Sequence, residues 1–165
     1  MPQFAIQSGF SQADRSAIVA LLRQYEASLG VSLCFQGFEA EVAGLPGAYA
    51  PPRGQMLLAR RPGSHPGDGR LVGLAALRPV PDAPDLCEMK RLYVSPSARG
   101  LGLGRTLALA VMAEARRLGY ARMCLDTLPG MVEAQALYRS LGFRQTGAST
   151  SKPTVLLFER ELAQP

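Results

Sequence analysis

The segment 88–106 constrains this chain more than any other. A strand-like run over residues 88–94 enters a short turn and crosses Arg99-Gly100-Leu101-Gly102-Leu103-Gly104-Arg105. It then opens into an amphipathic helix. That order of elements builds an anion site from main-chain amides. The first N–H groups of a helix lack intrahelical partners and carry partial positive charge. Glycines bring the backbone close to phosphate oxygens, in dihedrals that a side chain forbids. Arg99 and Arg105 add charge and forked donors. The loop is expected to hold a pyrophosphate.

Spacing excludes two ligand classes. No Gly-Lys-Ser/Thr follows a glycine-rich run, so a P-loop is absent. In a G-x-G-x-x-G fingerprint the third glycine would fall at Arg105 or Leu107, so a dinucleotide loop is absent too. What remains, Arg-x-x-Gly-x-Gly between a strand and a helix, resembles the acetyl-CoA loop of the GNAT N-acetyltransferase family. That family's pattern is Gln/Arg-x-x-Gly-x-Gly/Ala.

Two neighbouring segments extend the resemblance over roughly residues 56–147. Ala134-Gln135-Ala136-Leu137-Tyr138-Arg139-Ser140-Leu141-Gly142-Phe143 has helical apolar spacing and a glycine where a helix C′ residue belongs. It is similar to the family's helix after the fifth core strand. By spacing alone Tyr138 reads as a core aromatic; the resemblance implies a proton donor to the departing CoA thiolate. Many relatives carry asparagine where this chain has Met131, which removes one expected pantetheine contact.

Upstream, Cys87-Glu88-Met89-Lys90-Arg91-Leu92-Tyr93-Val94 resembles the family's fourth strand, which splays from the fifth through a bulge. The resemblance implies that backbone groups at Leu92, Tyr93 and Val94 pair with pantetheine and that an amide there polarises the thioester carbonyl. Irregular strand ends leave such groups free. Glu88 aligns with a general base of some members; the residues alone read equally as a glutamate ion-paired beside Lys90 and Arg91. The amides of Gly100, Leu101, Gly102, Leu103 and Gly104, with Arg99 and Arg105, are the implied pyrophosphate contacts.

A chain of 165 residues suits one domain spanning 1–165, with no linker, repeat or low-complexity segment. No apolar span reaches membrane length, and Met1-Pro2-Gln3-Phe4-Ala5 lacks the form of a signal peptide. Cys34, Cys87 and Cys124 are widely spaced in apolar surroundings, which predicts buried free thiols in a reducing cytoplasm. One histidine, His65, cannot assemble a zinc site. The net charge of +5 comes from scattered arginines without interleaved aromatics, which argues against nucleic acid and suits a polyanionic cosubstrate.

The remaining patterns predict strands at 4–7, 56–60, 71–77, 122–126, 143–147 and 155–161. A helix capped by Ser11 carries Ile18, Leu21, Leu22, Tyr25 and Leu29 on one face. A short helix or structured loop follows at 33–45, and residues 79–85 read as a chain breaker. The order β-α-α-β-β-β-α-β-α-β-β gives an α/β fold with a mixed, mostly antiparallel sheet and helices on both faces. This is the GNAT architecture, with its splayed fourth and fifth strands.

The resemblance then implies acetyl-CoA as cosubstrate, no metal, and direct transfer to a primary amine. Among acceptors a small molecule such as an amino acid or polyamine is preferred over a protein N-terminus or lysine. Glu39, Glu41, Asp82, Asp85 and Asp126 are available to attract a cationic amine. A non-catalytic acyl-CoA sensor would need neither Tyr138 nor Glu88. A cysteine-linked route lacks a histidine partner. Family members occur as monomers or homodimers, and nothing in residues 155–162 decides between them.

Overall fold

Residues 55–59 and 71–77 are buried on both strand faces, so they must lie inside a sheet covered on both sides. The computed structural model describes residues 3–63, 65 and 68–163. The strands are β1 (Ala5–Ser8), β2 (Gln55–Arg61), β3 (Arg70–Val80), β4 (Ala83–Val94), β5 (Arg122–Thr127), β6 (Arg144–Ala148) and β7 (Leu156–Glu161). They form a seven-stranded sheet in the order β1-β2-β3-β4-β5-β7-β6. Every pairing is antiparallel except β4 with β5.

Among the described residues four α-helices cover the sheet: α1 (Arg15–Ser28), α2 (Phe38–Ala43), α3 (Leu103–Arg117) and α4 (Val132–Ser140). On one face α1 and α2 bury Ile18, Leu22 and Phe38 against Met56, Leu58 and Leu74. On the other, α3 and α4 bury Leu107, Val111 and Tyr138 against Leu57, Leu77 and Met89. The long α3 follows from its apolar stripe, and Arg116 and Arg117 in its last turn complement the helix dipole. The element order is the expected one.

Three local expectations are corrected. Residues 79–85 do not break the chain: β3 continues to Val80, turns at Asp82, and β4 already begins at Ala83. Pro79 pairs with Cys87 beyond the reach of β2, whose first residue, Gln55, lies opposite Leu77; the missing proline N–H thus costs no bond to β2. Ser11 caps a 3₁₀ turn at Gln12–Asp14 ahead of α1, accepting from the Asp14 amide at 3.2 Å. Of the three thiols only Cys87 is fully buried; Cys34, on a short 3₁₀ turn (Leu33–Gln36), is exposed and Cys124 lies between. Among the described residues no helix is long and apolar enough to cross a membrane.

Candidate active site

The site originates where two neighbouring strands part. β4 and β5 pair in parallel only from Leu86 with Arg122 to Glu88 with Cys124. β5 then runs on to Thr127 and β4 to Val94, and a cleft opens between them. At the same level β4 bulges: its register with β3 jumps from Lys90 opposite Ala76 to Tyr93 opposite Leu74. Arg91 and Leu92 therefore stand outside the ladder.

Arg91 takes φ +60°, the left-handed region that a branched-out side chain rarely adopts. Its guanidinium holds it there, donating to Glu41 from Nε at 2.9 Å and Nη2 at 3.1 Å, and from Nη1 to Gln36 Oε1 at 2.9 Å. The rings of Phe38 and Tyr25 flank it.

Inside the cleft lies a small chamber of about 70 Å³. Tyr25 of α1, Gln36, Lys90 of β4, Asp126 of β5, and Met131 and Tyr138 flanking or within α4 contribute to its wall. Gln36 bridges the charges: its Nε2 donates to Asp126 Oδ2 at 3.2 Å and its Oε1 accepts from Lys90 Nζ at 3.2 Å. Lys90 Nζ and Asp126 Oδ1 are 3.5 Å apart.

Tyr138 is buried, with its ring edge-on to Phe143 at 5.9 Å between centroids. Burial pushes its hydroxyl well above the usual phenol value, and the neighbouring Tyr25 and Asp126 act in the same direction. Its proton is therefore retained at any neutral or moderately alkaline pH.

A second, more open cavity of about 430 Å³ runs from the chamber along the start of α3. Tyr93, Val94, Arg99, Gly100, Gly102 and Gly104 line it, and it shares Tyr25, Leu92, Met131 and Ala134 with the chamber. The first main-chain bond of α3 runs from Thr106 N to Gly102 O, so the N–H groups of Leu103, Gly104 and Arg105 precede it. Gly102 has φ +76°, which is why glycine stands there. At Gly104 an added Cβ would meet only Val94 and Leu137 side chains, at 3.9 and 4.0 Å, so packing alone tolerates a side chain. Its bareness keeps the groove open. Arg105 Nη1 donates to Ser140 Oγ at 2.9 Å, and Arg99 Nε to Val94 O at 3.0 Å, which occupies one strand carbonyl of the groove. Free amides, a helix N-terminus and two arginines fit a diphosphate.

The structure thus brings Leu92, Tyr93, Val94 and the 99–105 loop to one groove, with Leu101 exposed on its outer side and Leu103 turned into the core. Tyr138 reaches the adjoining chamber. Glu88 does not line it: the carboxylate lies on the same strand face as Lys90 but pairs with Arg78, at 2.8 Å from Nε and 2.7 Å from Nη2. Of the five acidic residues singled out, Glu39, Glu41 and Asp85 pair with Arg23, Arg91 and Arg122, and Asp82 sits at the β3–β4 turn. Asp126 is the one that lines the chamber. Tyr25, Gln36 and Lys90 join it without any motif that marks them as site residues. Tyr25 follows the apolar stripe of α1, and its only distinguishing mark is a polar tip.

The sequence profile of the acetyltransferase (GNAT) family matches residues 45–143, which include β2 through α4. An uncharacterized N-acetyltransferase of Schizosaccharomyces pombe is 41% identical over 126 residues, 76% of this chain and 74% of its own length. The uncharacterized N-acetyltransferase YjgM of Escherichia coli is 31% identical over 151 residues, 86% of this chain and 83% of its own. Among solved structures, an acetyltransferase from Streptococcus agalactiae has a TM-score of 0.77 at 20% identity, covering 98% of this chain and all 100% of that one. The Salmonella typhimurium protein yncA, solved with its cofactor acetyl-CoA, has a TM-score of 0.69 at 20% identity, covering 99% and 96%. At that identity the likeness speaks for the fold.

Proposed function

Because the chain belongs to the GNAT acetyltransferase family, we propose that it transfers an acetyl group from acetyl-CoA to the primary amine of a small molecule. One observation carries this reading. The anion-binding groove and the polar chamber meet at Tyr25, Leu92, Met131 and Ala134, where β4 leaves β5. The family's solved neighbour with acetyl-CoA supports the choice of cosubstrate. When bound, acetyl-CoA supplies an activated thioester and a thiolate leaving group.

The chain's own groups divide the remaining work. Amides of residues 100–105 with Arg99 and Arg105 bind the diphosphate, and Met131 lines the pantetheine path in place of an amide. Arg91 and Leu92 leave the β3 ladder at the bulge and line the chamber; a main-chain N–H of Leu92, Tyr93 or Val94 is the proposed donor for developing negative charge on oxygen. Removing one such donor typically costs about 100- to 1,000-fold in rate.

An attacking alkylamine must first lose a proton held with a pKa of roughly 10. Asp126 is the proposed acceptor of that proton. What favours it over Glu88, the motif's candidate, is its place in the chamber wall, whereas Glu88 is engaged by Arg78. Tyr138 holds a proton at Oη and delivers it to sulfur. The small chamber favours a small amine over a folded protein surface. Free thiols suit a reducing compartment, which we take to be the cytoplasm.

Thiol release from acetyl-CoA, followed across amino acids, polyamines and peptides, tests the proposal. Turnover with a small amine is the expected result. Acetyl-CoA binding with no turnover across the panel would replace the enzyme with a sensor.

A further inference from the structure

Two cations stand in the chamber wall, and their surroundings differ. Arg91 is closely held: each of its three guanidinium nitrogens finds a carboxylate or amide oxygen at 2.9–3.1 Å. Lys90 is equally withdrawn, with 5% of its surface exposed, yet among the described residues its Nζ has two acceptors, both at the long end of the hydrogen-bond range. One is the neutral Gln36 amide at 3.2 Å, already shared with Arg91, and the other is Asp126 at 3.5 Å. An ammonium carries three donors and makes charge-assisted bonds at about 2.7–2.9 Å. A cation taken out of water needs close partners to offset its lost hydration. Lys90 lacks them, and the mechanism proposed above does not use it.

Asp126 lies beside this lysine with one oxygen on Gln36 and the other towards Nζ. The chamber therefore offers an incoming molecule a positive point and a negative point side by side. That is the complement of a zwitterion. The same wall opposes a polycation, since Lys90 and Arg91 both border it. Beyond the polar floor the wall turns apolar. Leu29, Leu128 and Met131 pass from the chamber into an outer groove bounded by Pro129 and Pro153.

We propose that the acceptor is an α-amino acid: its carboxylate docks on Lys90, its amine faces Asp126, and an apolar side chain lies along Leu29, Leu128 and Met131. This deepens the acetyl-transfer reading and rests on it for the chemistry. Lys90 acts here as a specificity residue.

The test compares three series in the intact protein: free apolar L-amino acids, their primary amides, and the corresponding decarboxylated amines. The kcat/KM for the free acid is expected to exceed that of its amide and amine by about tenfold or more, the loss typical of one charge-assisted bond. Lys90→Met should collapse most of that preference, lowering kcat/KM for the free acid far more than for its amide or amine, and Lys90→Arg should retain part of it. Should Lys90→Met not fold, Lys90→Gln replaces it, and the wild-type comparison decides by itself. Amides or amines matching the acids, or a variant that lowers all three series alike, would overturn the proposal. Calorimetry with the same compounds reads docking without turnover. Acid-selective binding with no thiol release would sink the acetyl-transfer reading and keep the docking site; binding without acid preference would sink the site.

Discussion

The Arg91 guanidinium grips both oxygens of Glu41, at 2.9 and 3.1 Å, and so ties α2 to the bulge that turns β4 away from β5. Both side chains are nearly closed to water, at 2% and 13% exposure. Removing one partner of such a pair strands the other, at a typical cost of about 3–5 kcal/mol. Glu41→Ala should therefore show a loss of that order in urea unfolding. Glu41→Ala/Arg91→Leu should recover much of the loss, because no charge is stranded. Activity should stay low in the double variant, since nothing then holds residue 91 at its left-handed φ. A double variant with full activity would show that the bulge does not depend on the pair.

The groove glycines separate ligand space from fold. Gly104→Val starts from a Cβ that meets only two flexible side chains at ordinary distance, so its Tm should move little. Acetyl-CoA affinity should fall at least about tenfold, through loss of close approach to the helix N-terminus. Gly102→Val also forces a β-branched residue to φ +76° and should lose about 1–2 kcal/mol of stability as well. Isothermal titration with acetyl-CoA, beside thermal melts, measures both. Undiminished binding in the two variants would remove the loop as the diphosphate site.

Main-chain features were readable from the sequence because they are local. The strand, turn, glycine loop and helix over residues 88–106 lie in one stretch, and both the anion groove and the bulge follow from it. The Pro79 and Pro84 signals misled for a local reason too. Prolines usually end strands, but here they sit in a hairpin arm that extends past β2. The chamber was illegible because it is assembled from afar. Gln36 meets Asp126 across 90 residues and Lys90 across 54. No periodicity announces such a meeting, and Tyr25 continues the apolar stripe by which α1 packs on the sheet.

The two carboxylates of the acceptor face should behave differently. Asp126→Asn removes the chamber's carboxylate and should lower kcat by about 100-fold or more. Glu88→Gln loosens the contact to Arg78 and should leave kcat within about threefold, with an unchanged acid limb of the pH–rate profile. If Glu88→Gln instead abolishes that limb while Asp126→Asn keeps it, the proton leaves through Glu88, as the motif suggests.

Thiol chemistry offers an independent check on the packing. Burial pushes both Cys87 and Cys124 up to about 12, with nearby acidic groups adding to the effect at Cys124. A raised pKa keeps the thiol protonated and unreactive as pH rises past its unfolded value near 9. At pH 8 a disulfide reagent should label only the exposed Cys34 in the folded protein, and all three in denaturant. The folded state favours the protonated thiols. Their contribution to stability is complete below about pH 9 and is lost as pH climbs from there through about 12. Fast labelling of Cys87 at pH 8 would contradict the sheet packing.

Tyr138 carries the sharpest prediction, because its two possible roles differ in what they require. A core aromatic needs the ring, held edge-on to Phe143, whereas a proton donor needs the hydroxyl. Tyr138→Phe keeps the first and deletes the second. The melting temperature and the acetyl-CoA dissociation constant should stay close to wild type, while kcat falls by about tenfold or more. The pH dependence adds a sign. An acid works only while protonated, so its activity is lost as pH rises through its pKa; burial raises that pKa, which moves the loss to higher pH. The wild-type kcat should therefore show no decline from Tyr138 below about pH 10, the ordinary phenol value. With Phe the remaining rate should respond more strongly to the thiol leaving group, since the departing sulfur then gains no proton. Unchanged kcat in Tyr138→Phe with the preferred acceptor would return the residue to the core and leave the thiolate to depart unaided.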